Sequence, residues 1–559
     1  MEKRVAVGTE LFDEFIQENG YYVDKTELIY ELVEKTRNKV TLFTRPRRFG
    51  KTLTVSMMET FFDIRRDSRE LFTGLDILKN HPEFCEKWMN QYPVLFLTLK
   101  DVEGLGFDEA YDMLKEQISS LCIEHAYLLG ENYRERVDST DRNTFIKLKD
   151  KTASLAEIKN ALKTLMRMMK SVYGKPVILL IDEYDVPMAK AQETKDPQFY
   201  KEMMNVIRGI LSVSLKTNEF LKFAVVTGCL RIVRESIFTG VNHFACYSVM
   251  NSEFSRYFGF TQEEVSDMLD AFGLSDRMEL IRKWYDGYIF GDTEVFCPWD
   301  VASYISALLK KREAEPKNYW TNTSSNAILE DFVNHPKVDA SGKFEKLLNG
   351  ETITEAISEE LTYNHLADSE KNLWSVLMMT GYVSKADKKE EEGKVKLRIP
   401  NAEIADLFKN AVVARFEKRL NARDVDAFIT ALWKKDEQTA SEMLTKILWN
   451  SISYFDYGEE YYHGLLNGIF TSRGFEPDSN DEAGLGRLDL RVRDRVNRRF
   501  LLMEFKRSGR KENLDADCDK AITQIFELGY DKAIPEGYEE QLIYGIAFYA
   551  KMARVKFAK

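Results

Sequence analysis

Short apolar runs alternate with longer amphipathic stretches through the first third of the chain. Lys39–Phe43 and Pro93–Leu99 are too short for helices and are rich in β-branched and bulky apolar residues, so they read as buried strands. Pro176–Ile181 and Phe220–Val226 are two further continuous apolar runs. Thr52–Phe62 reads as an apolar helix, and Phe107–Leu129 has helical spacing. Strands that are apolar on both faces and alternate with helices predict a parallel sheet covered on both sides. From about Thr261 to Phe428 the pattern is mostly helical, and from about Gly458 it returns to mixed α and β. The charged run from Lys385 to Lys394 lies between two apolar stretches and reads as a solvated hairpin tip.

The 559 residues suggest about three or four domains. With 44 % hydrophobic and 30 % charged residues the composition is that of an ordinary globular chain. No stretch approaches the ~18 uncharged apolar residues of a membrane span, so no membrane association is expected. No apolar run follows Met1-Glu-Lys-Arg4, so no secretory signal is expected. The six cysteines are scattered without a C-x-x-C pair, and the six histidines form no H-E-x-x-H. A disulfide framework or zinc site is therefore not expected, and a cytoplasmic location fits. The net charge of −12 argues against a protein that coats nucleic acid throughout, but permits a local basic groove.

The segment Arg45-Pro-Arg-Arg-Phe-Gly-Lys-Thr52 sits between a predicted strand and a predicted helix. That is where backbone amides and the helix dipole can receive phosphate. Lys51 would reach the β- and γ-phosphates, Thr52 would hold Mg²⁺, and Gly50 would let the backbone approach. The motif's usual first glycine is Arg45 here, and taken alone the segment also fits a basic helix cap. The partner signal is Val177-Ile-Leu-Leu-Ile-Asp-Glu183, an apolar strand ending in two carboxylates. Asp182 suits Mg²⁺, directly or through water, and Glu183 is placed to polarise an attacking water. Alone, such a pair is often a helix N-cap. Phe223-Ala-Val-Val-Thr227 adds a strand ending in a polar residue that can touch the γ-phosphate or the water.

These motifs resemble the bacterial AAA-ATPase-like family, whose own form of the loop carries the arginine. Tyr21-Tyr-Val-Asp-Lys-Thr26, Thr227-Gly-Cys-Leu-Arg231, Phe258-Gly-Phe-Thr261, Trp284-Tyr-Asp-Gly-Tyr288 and Tyr319-Trp-Thr-Asn-Thr323 extend the resemblance over roughly residues 5–330. It implies ATP binding, and the nucleotide-binding candidates are Arg48, Phe49, Gly50, Lys51, Thr52, Asp182 and Thr227. Arg231, Arg234 and Arg256 are candidates for sensing the γ-phosphate, or are surface ion-pair residues. Trp284–Phe290 reads as a packed aromatic turn.

A second constellation lies near the C-terminus. Gly486-Arg-Leu-Asp-Leu490 and Phe500-Leu-Leu-Met-Glu-Phe-Lys506 read as neighbouring strands, with Glu504 and Lys506 on one face. Asp489 and Glu504 could hold Mg²⁺ and orient water against a phosphodiester, with Lys506 serving the chemistry. This pattern resembles the PD-(D/E)XK nuclease superfamily, in a form found fused to the same ATPase family. By that resemblance Glu459 or Glu460 supplies another carboxylate, and Gln524 contacts the site. Between Arg487 and Lys511 ten Lys or Arg stand against three Asp or Glu, which suits a phosphate-binding groove or a charge-protected strand edge.

The expectation is an α/β protein in three parts. Residues 1–260 form a P-loop NTPase core with a parallel sheet. Residues 261–425 form a mostly helical lid or winged-helix-like region. Residues 426–559 form a restriction-endonuclease-like α/β domain. The expected function is an ATP-binding and ATP-hydrolysing protein coupled to a Mg²⁺-dependent nuclease-like domain acting on nucleic acid, DNA before RNA. The alternative is a regulatory ATPase whose C-terminal domain binds nucleic acid or a partner without cutting. Oligomerisation is left open.

Overall fold

The computed structural model describes residues 3–231, 244–320, 329, 332, 341–348, 350–361, 369–388, 393–419, 421–451, 459–483, 486–532 and 538–558. The chain divides into two compact units, Met1–Ala327 with Thr354–Ile404, and Ile328–Ile353 with Ala405–Lys559. Among the described residues no helix is long and apolar enough to cross a membrane.

The first unit is built on a five-stranded parallel sheet. Its strands are β1 (Val40–Thr44), β2 (Val94–Thr98), β3 (Val177–Asp182), β4 (Leu221–Gly228) and β5 (Phe244–Tyr247), in spatial order β2-β3-β4-β1-β5. All residues of β1 and β3 are buried, as two-sided coverage by helices requires. The first four strands lie where the apolar runs predict them. The edge strand β5 was not foreseen, because its apolar run of four half-buried residues, Phe-Ala-Cys-Tyr, is too short to stand out. Helix α1 is Phe12–Gln17, α2 is Lys51–Phe62, and α3 is Phe107–Glu124. The helix predicted to run to Leu129 stops at Glu124 and continues as a 3₁₀ turn, Ala126–Leu129.

Residues 261–327 and 354–404 belong to this same unit, not to a separate lid. Their helices are joined by small strands, including the antiparallel pair Tyr288–Phe290 with Thr293–Val295. The aromatic turn is packed as expected: Tyr288 and Phe290 stand over Phe49 at centroid distances of 5.0 and 4.9 Å. The run starting at Lys385 does join antiparallel strands, Ser384–Lys385 and Lys394–Arg398. Its first residue is not solvated, however. Lys385 is buried and donates to the Gly291 carbonyl at 3.2 Å. Residues 389–392 at the tip lie outside the described residues.

The second unit holds the helix Ser341–Leu348, most of the helix Ala402–Arg419, and the helices Ala422–Trp433, Glu437–Ser451 and Glu459–Thr471, which lead into a mixed sheet. Its strands are β6 (Glu476–Ala483), β7 (Gly486–Asp494), β8 (Arg499–Arg507), β9 (Glu540–Tyr549) and β10 (Met552–Phe557), paired in chain order. Only the β8–β9 pair is parallel, and helix α4 (Leu514–Glu527) makes that crossover. Along β8, Leu501, Met503 and Phe505 join the core formed with the three helices, while Phe500 and Leu502 pack with Ile525 of α4. The period of two places Glu504 and Lys506 on the α4 side.

Gly287 ties residues 398–401 to the aromatic turn. Its φ of 93° is left-handed, and a Cβ there would sit 2.0 Å from the Pro400 carbonyl oxygen. Gly287→Ala is expected to destabilise the first unit by about 2–3 kcal/mol, because backbone must move to admit it. Gly106→Ala, in open space, should stay within about 0.5 kcal/mol of the parent. Urea titration of both variants checks the pair.

Candidate active sites

The first site is assembled where β1, β3 and β4 end. The loop after β1 enters the left-handed region at Arg48 (φ 73°) and Gly50 (φ 79°), and α2 opens at Lys51. Such a turn exposes amides at a helix start. The Lys51 ammonium donates to the Arg45 and Pro46 carbonyls at 3.2 and 3.1 Å and lies 3.3 Å from Glu183 Oε1. Thr52 Oγ1 donates to Asp182 Oδ2 at 2.7 Å, and Thr227 Oγ1 donates to Asp182 Oδ1. The Glu183 amide in turn donates to Thr227 Oγ1 at 3.3 Å. Five residues singled out in the sequence, from three separate segments, therefore form one connected cluster.

Arg45 does not face this cluster. It is buried, donates to the Thr44 and Tyr247 carbonyls at 2.9 and 2.8 Å, and stacks against Phe258 and Phe290. Burial pushes its pKa down. Arg48 lies over the Trp299 ring at 4.0 Å, and burial lowers its pKa as well. Phe49 is buried in the aromatic turn.

Asp182 is fully buried. Burial, then the neighbouring Glu183 charge, raise its pKa, while the Thr227 and Thr52 hydroxyls and Lys51 oppose the rise. Burial works against the Lys51 charge, but Cys229 and the Glu183, Asp182 and Asp185 carboxylates hold its pKa above the ordinary lysine value. Glu183 Oε2 is buried without a hydrogen-bond partner. A cavity of about 440 Å³ opens beside this cluster, lined by the 47–54 loop, Glu183, residues 5–10 and residues around Phe260 and Trp299. Arg231 and Arg256 do not border it. Arg231 lies against Phe244, and the Arg256 carbonyl accepts from Lys25 at 2.7 Å. Arg234 lies outside the described residues.

The second site lies on the α4 side of the mixed sheet. Asp489 of β7 accepts the Phe505 amide at 2.7 Å, just beyond the Leu490–Met503 pair that sets the register. Glu504 Oε1 accepts from Lys506 at 3.2 Å and from the Gln524 amide of α4. Gly545 of β9 is in register with Glu504, and a Cβ there would lie 2.3 Å from the Cys518 carbonyl oxygen. The missing side chain is what lets α4 lie close enough for Gln524 to reach Glu504. Glu459 and Glu460 lie on the helix Glu459–Thr471, but their side chains are outside the described residues.

Burial raises the pKa of Asp489 against the pull of Phe505 and Lys506. Burial, then the Asp489 charge, push Glu504 up to about 7. Glu504 Oε2 is buried with no hydrogen-bond partner. The basic stretch between Arg487 and Lys511 is not one open face. Arg493, Arg495, Arg498 and Arg499 pair with Asp478, Glu476, Glu539 and Asp494, and Arg491 is buried. Arg507, Arg510 and Lys511 are exposed, with no ion pair among the described residues. The Arg487 side chain lies outside the described residues.

A family model described as "Predicted AAA-ATPase" matches residues 6–238, and one for the PD-(D/E)XK nuclease superfamily matches residues 457–557. The chain carries an AAA-ATPase-like domain and a PD-(D/E)XK nuclease superfamily domain. It is also 25 % identical over 517 residues to an Azotobacter chroococcum mcd 1 protein described as "Uncharacterized protein in vnfD 5'region", covering 90 % of this chain and 89 % of that one.

In both domains the donor sets suit Mg²⁺. In the AAA-ATPase-like domain, Thr52 donates its proton to Asp182, which leaves the hydroxyl lone pairs for a cation. In the nuclease superfamily domain, half-buried Asp489 and buried Glu504, whose Oε2 is orphaned, are the hard oxygen donors that Mg²⁺ takes. Among the described residues no group of three or more His, Cys, Asp or Glu is arranged to share a metal. The remaining positions would fall to water and substrate.

Two neighbours of the nuclease-type site escaped the sequence reading. His463 Nε2 lies 3.5 Å from Asp489 Oδ1, and Tyr530 is buried near the site, where burial, then the Glu504 and Asp489 charges, raise its pKa. His463 is one of six dispersed histidines, and a lone tyrosine after a helix gives no signal. Lys100 and Lys190, which line the nucleotide-side cavity, belong to no motif.

The raised Glu504 pKa sets a pH dependence. A carboxyl raised in the fold is most stable where it is protonated. Its contribution is complete below about pH 4.5 and is lost as pH rises through about 7. The loss should be on the order of 3 kcal/mol. Glu504→Gln is expected to flatten this fall, read from urea titrations of the full chain at pH 5 and pH 8, approximate values chosen to span the transition.

Proposed function

We propose that the chain binds and hydrolyses ATP through its AAA-ATPase-like domain and cleaves nucleic acid, DNA before RNA, through its nuclease superfamily domain, with Mg²⁺ at both sites, in the cytoplasm. One observation carries this. Each site has a glutamate with a buried, unpartnered oxygen, beside one lysine and a second carboxylate. Such oxygens are costly to bury unless a cation or polarised water completes them.

At the first site the loop amides and Lys51 would bind the β- and γ-phosphates, and Asp182 would fix Thr52. Glu183 would orient the attacking water and draw its proton. Thr227 holds the Glu183 amide, so it positions that carboxylate. At the second site Asp489 and Glu504 would fix the scissile phosphate's surroundings. Lys506 would stabilise the charge gathering on the phosphate, and Gln524 would hold Glu504. Mg²⁺, when bound, neutralises phosphate charge at both sites and lowers the pKa of water.

A second reading is a regulatory ATPase whose C-terminal domain binds without cutting. The ion-paired arginines favour its form in which that domain binds a protein partner, because they leave few free cations for a phosphate backbone.

Lys51→Ala should weaken ATP binding about 10- to 100-fold, the value of a charge-assisted contact. Glu183→Gln should keep ATP bound but slow turnover on the order of 10²-fold or more. Equilibrium binding and phosphate release measure the two steps separately.

Incubating DNA and RNA with the parent chain and Mg²⁺, with and without ATP, separates the nuclease from the regulatory reading. Asp489→Ala is expected to abolish cleavage with loss of metal, and Lys506→Ala to abolish cleavage with metal retained. A parent chain that binds DNA in a salt-sensitive way yet never cuts would leave the regulatory reading standing.

A further inference from the structure

Beyond the phosphate loop, the cavity wall holds a second set of cations. Lys100 and Lys190 line it together with Lys51, Arg47 and Glu183. Lys100 lies two residues past the end of β2. Thr98 is in register with Asp182, and the Leu99 amide donates to the Asp182 carbonyl at 3.0 Å. Lys100 therefore leaves the sheet at the same edge as Glu183, from the neighbouring strand. The loop that follows is tied to the helix after Glu183, because Glu103 pairs with Lys190 at 3.1 Å.

The Lys100 ammonium is held by both carboxylate oxygens of Glu10, at 2.6 and 2.8 Å. Glu10 ends a strap, residues 5–10, that also lines the cavity. One end of the strap is fixed where Arg4 and Gly20 bridge. The other is fixed by α1, whose Phe12 amide donates to Ser56 Oγ of α2 at 3.0 Å. Between these anchors, the backbone of residues 5–10 makes no hydrogen bond to any described residue. The Glu10–Lys100 pair is thus the polar latch of the strap. It is about half exposed on both sides, 47 % and 49 %, so it contributes little and exchanges readily.

We propose that Lys100 is the γ-phosphate-sensing cation of this site, and that the γ-phosphate and Glu10 compete for it. The proposal rests on the ATPase reading. A triphosphate gripped by Lys51 and the loop amides directs its terminal group toward the sheet edge where Glu183 and Lys100 emerge. That group offers three charged oxygens against the single exposed carboxylate of Glu10, and wins the lysine. A diphosphate does not reach as far, and the latch stays closed. Release of Glu10 frees the strap, so the strap reports which nucleotide is bound.

The test uses the full chain with fluorescent ATP and ADP analogues and Mg²⁺. Lys100→Met should weaken the ATP analogue about tenfold and the ADP analogue less than about twofold, as loss of one charge-assisted contact predicts. Glu10→Gln should tighten the ATP analogue about two- to threefold, and should change nothing when Lys100→Met is already present. The hydrogen-bonded amides that anchor the strap, Arg4 and Phe12, should exchange hydrogen faster with a non-hydrolysable ATP analogue than with ADP, and Lys100→Met should erase that difference. Equal loss of ATP and ADP affinity, or a Glu10→Gln effect that persists without Lys100, overturns the sensor while leaving nucleotide binding intact. A parent chain that binds neither nucleotide overturns the ATPase reading and the sensor with it.

Discussion

The buried carboxylate of Asp182 ties together three segments that are far apart in the chain. One oxygen takes the Thr52 hydroxyl from the start of α2, and the other takes the Thr227 hydroxyl from the end of β4. Thr227 then accepts the Glu183 amide and holds Glu183 in a left-handed conformation with φ 55°. That conformation costs a non-glycine residue on the order of 1 kcal/mol or more, and it persists because its neighbours fix it. The result turns the Glu183 side chain toward Lys51 and the cavity. Sheet order contributes as much as the motif. With β3 between β2 and β4, the carboxylate pair emerges beside both Thr227 and Lys100.

The loop that carries Lys51 is braced differently from one rich in glycine. Arg45 and Phe49 turn into an aromatic layer supplied by Phe258, Tyr288 and Phe290, and Pro46 lies against Gly381. Tyr288, Phe290 and Gly381 come from residues that the sequence assigns to a separate helical region. The packing explains why that region and the sheet form one compact unit. It also separates the roles of the loop arginines. Arg45 acts as a buried staple, whereas Arg47 and Arg48 border the cavity.

The nuclease-type site depends on electrostatic conflict. Glu504 is buried beside the half-buried Asp489, and burial, then their repulsion, raise the Glu504 pKa although Lys506 opposes it. Removing the conflict would stabilise the fold. Such a conflict is the electrostatic pattern common at functional sites. The close approach of α4 at Gly545 is the backbone feature on which this arrangement rests.

The sequence alone fixed what depends on local pattern. Four of five parallel strands were legible because strands covered on both faces must be continuously apolar. The clustering of Lys51, Thr52, Asp182 and Glu183, and of Asp489, Glu504 and Lys506, was legible because strand ends and period-two spacing put polar residues where apolar ones would otherwise stand. Tertiary structure decided whatever depends on distant partners. The edge strand β5 has an apolar run of only four residues and is held by pairing with β1. Lys385 sits in a charged run, yet is buried because the Gly291 carbonyl accepts its ammonium. The ten basic residues from Arg487 to Lys511 look like one cluster in the sequence. Strand pairing instead places acids from β6 and the β9 approach beside them and neutralises several. Lys100 and Glu10 are 90 residues apart and belong to no motif, so only the folded chain brings them to one cavity. Charge and periodicity can be read along a chain, but the partner of a charge is set by packing between segments, and no local pattern encodes it.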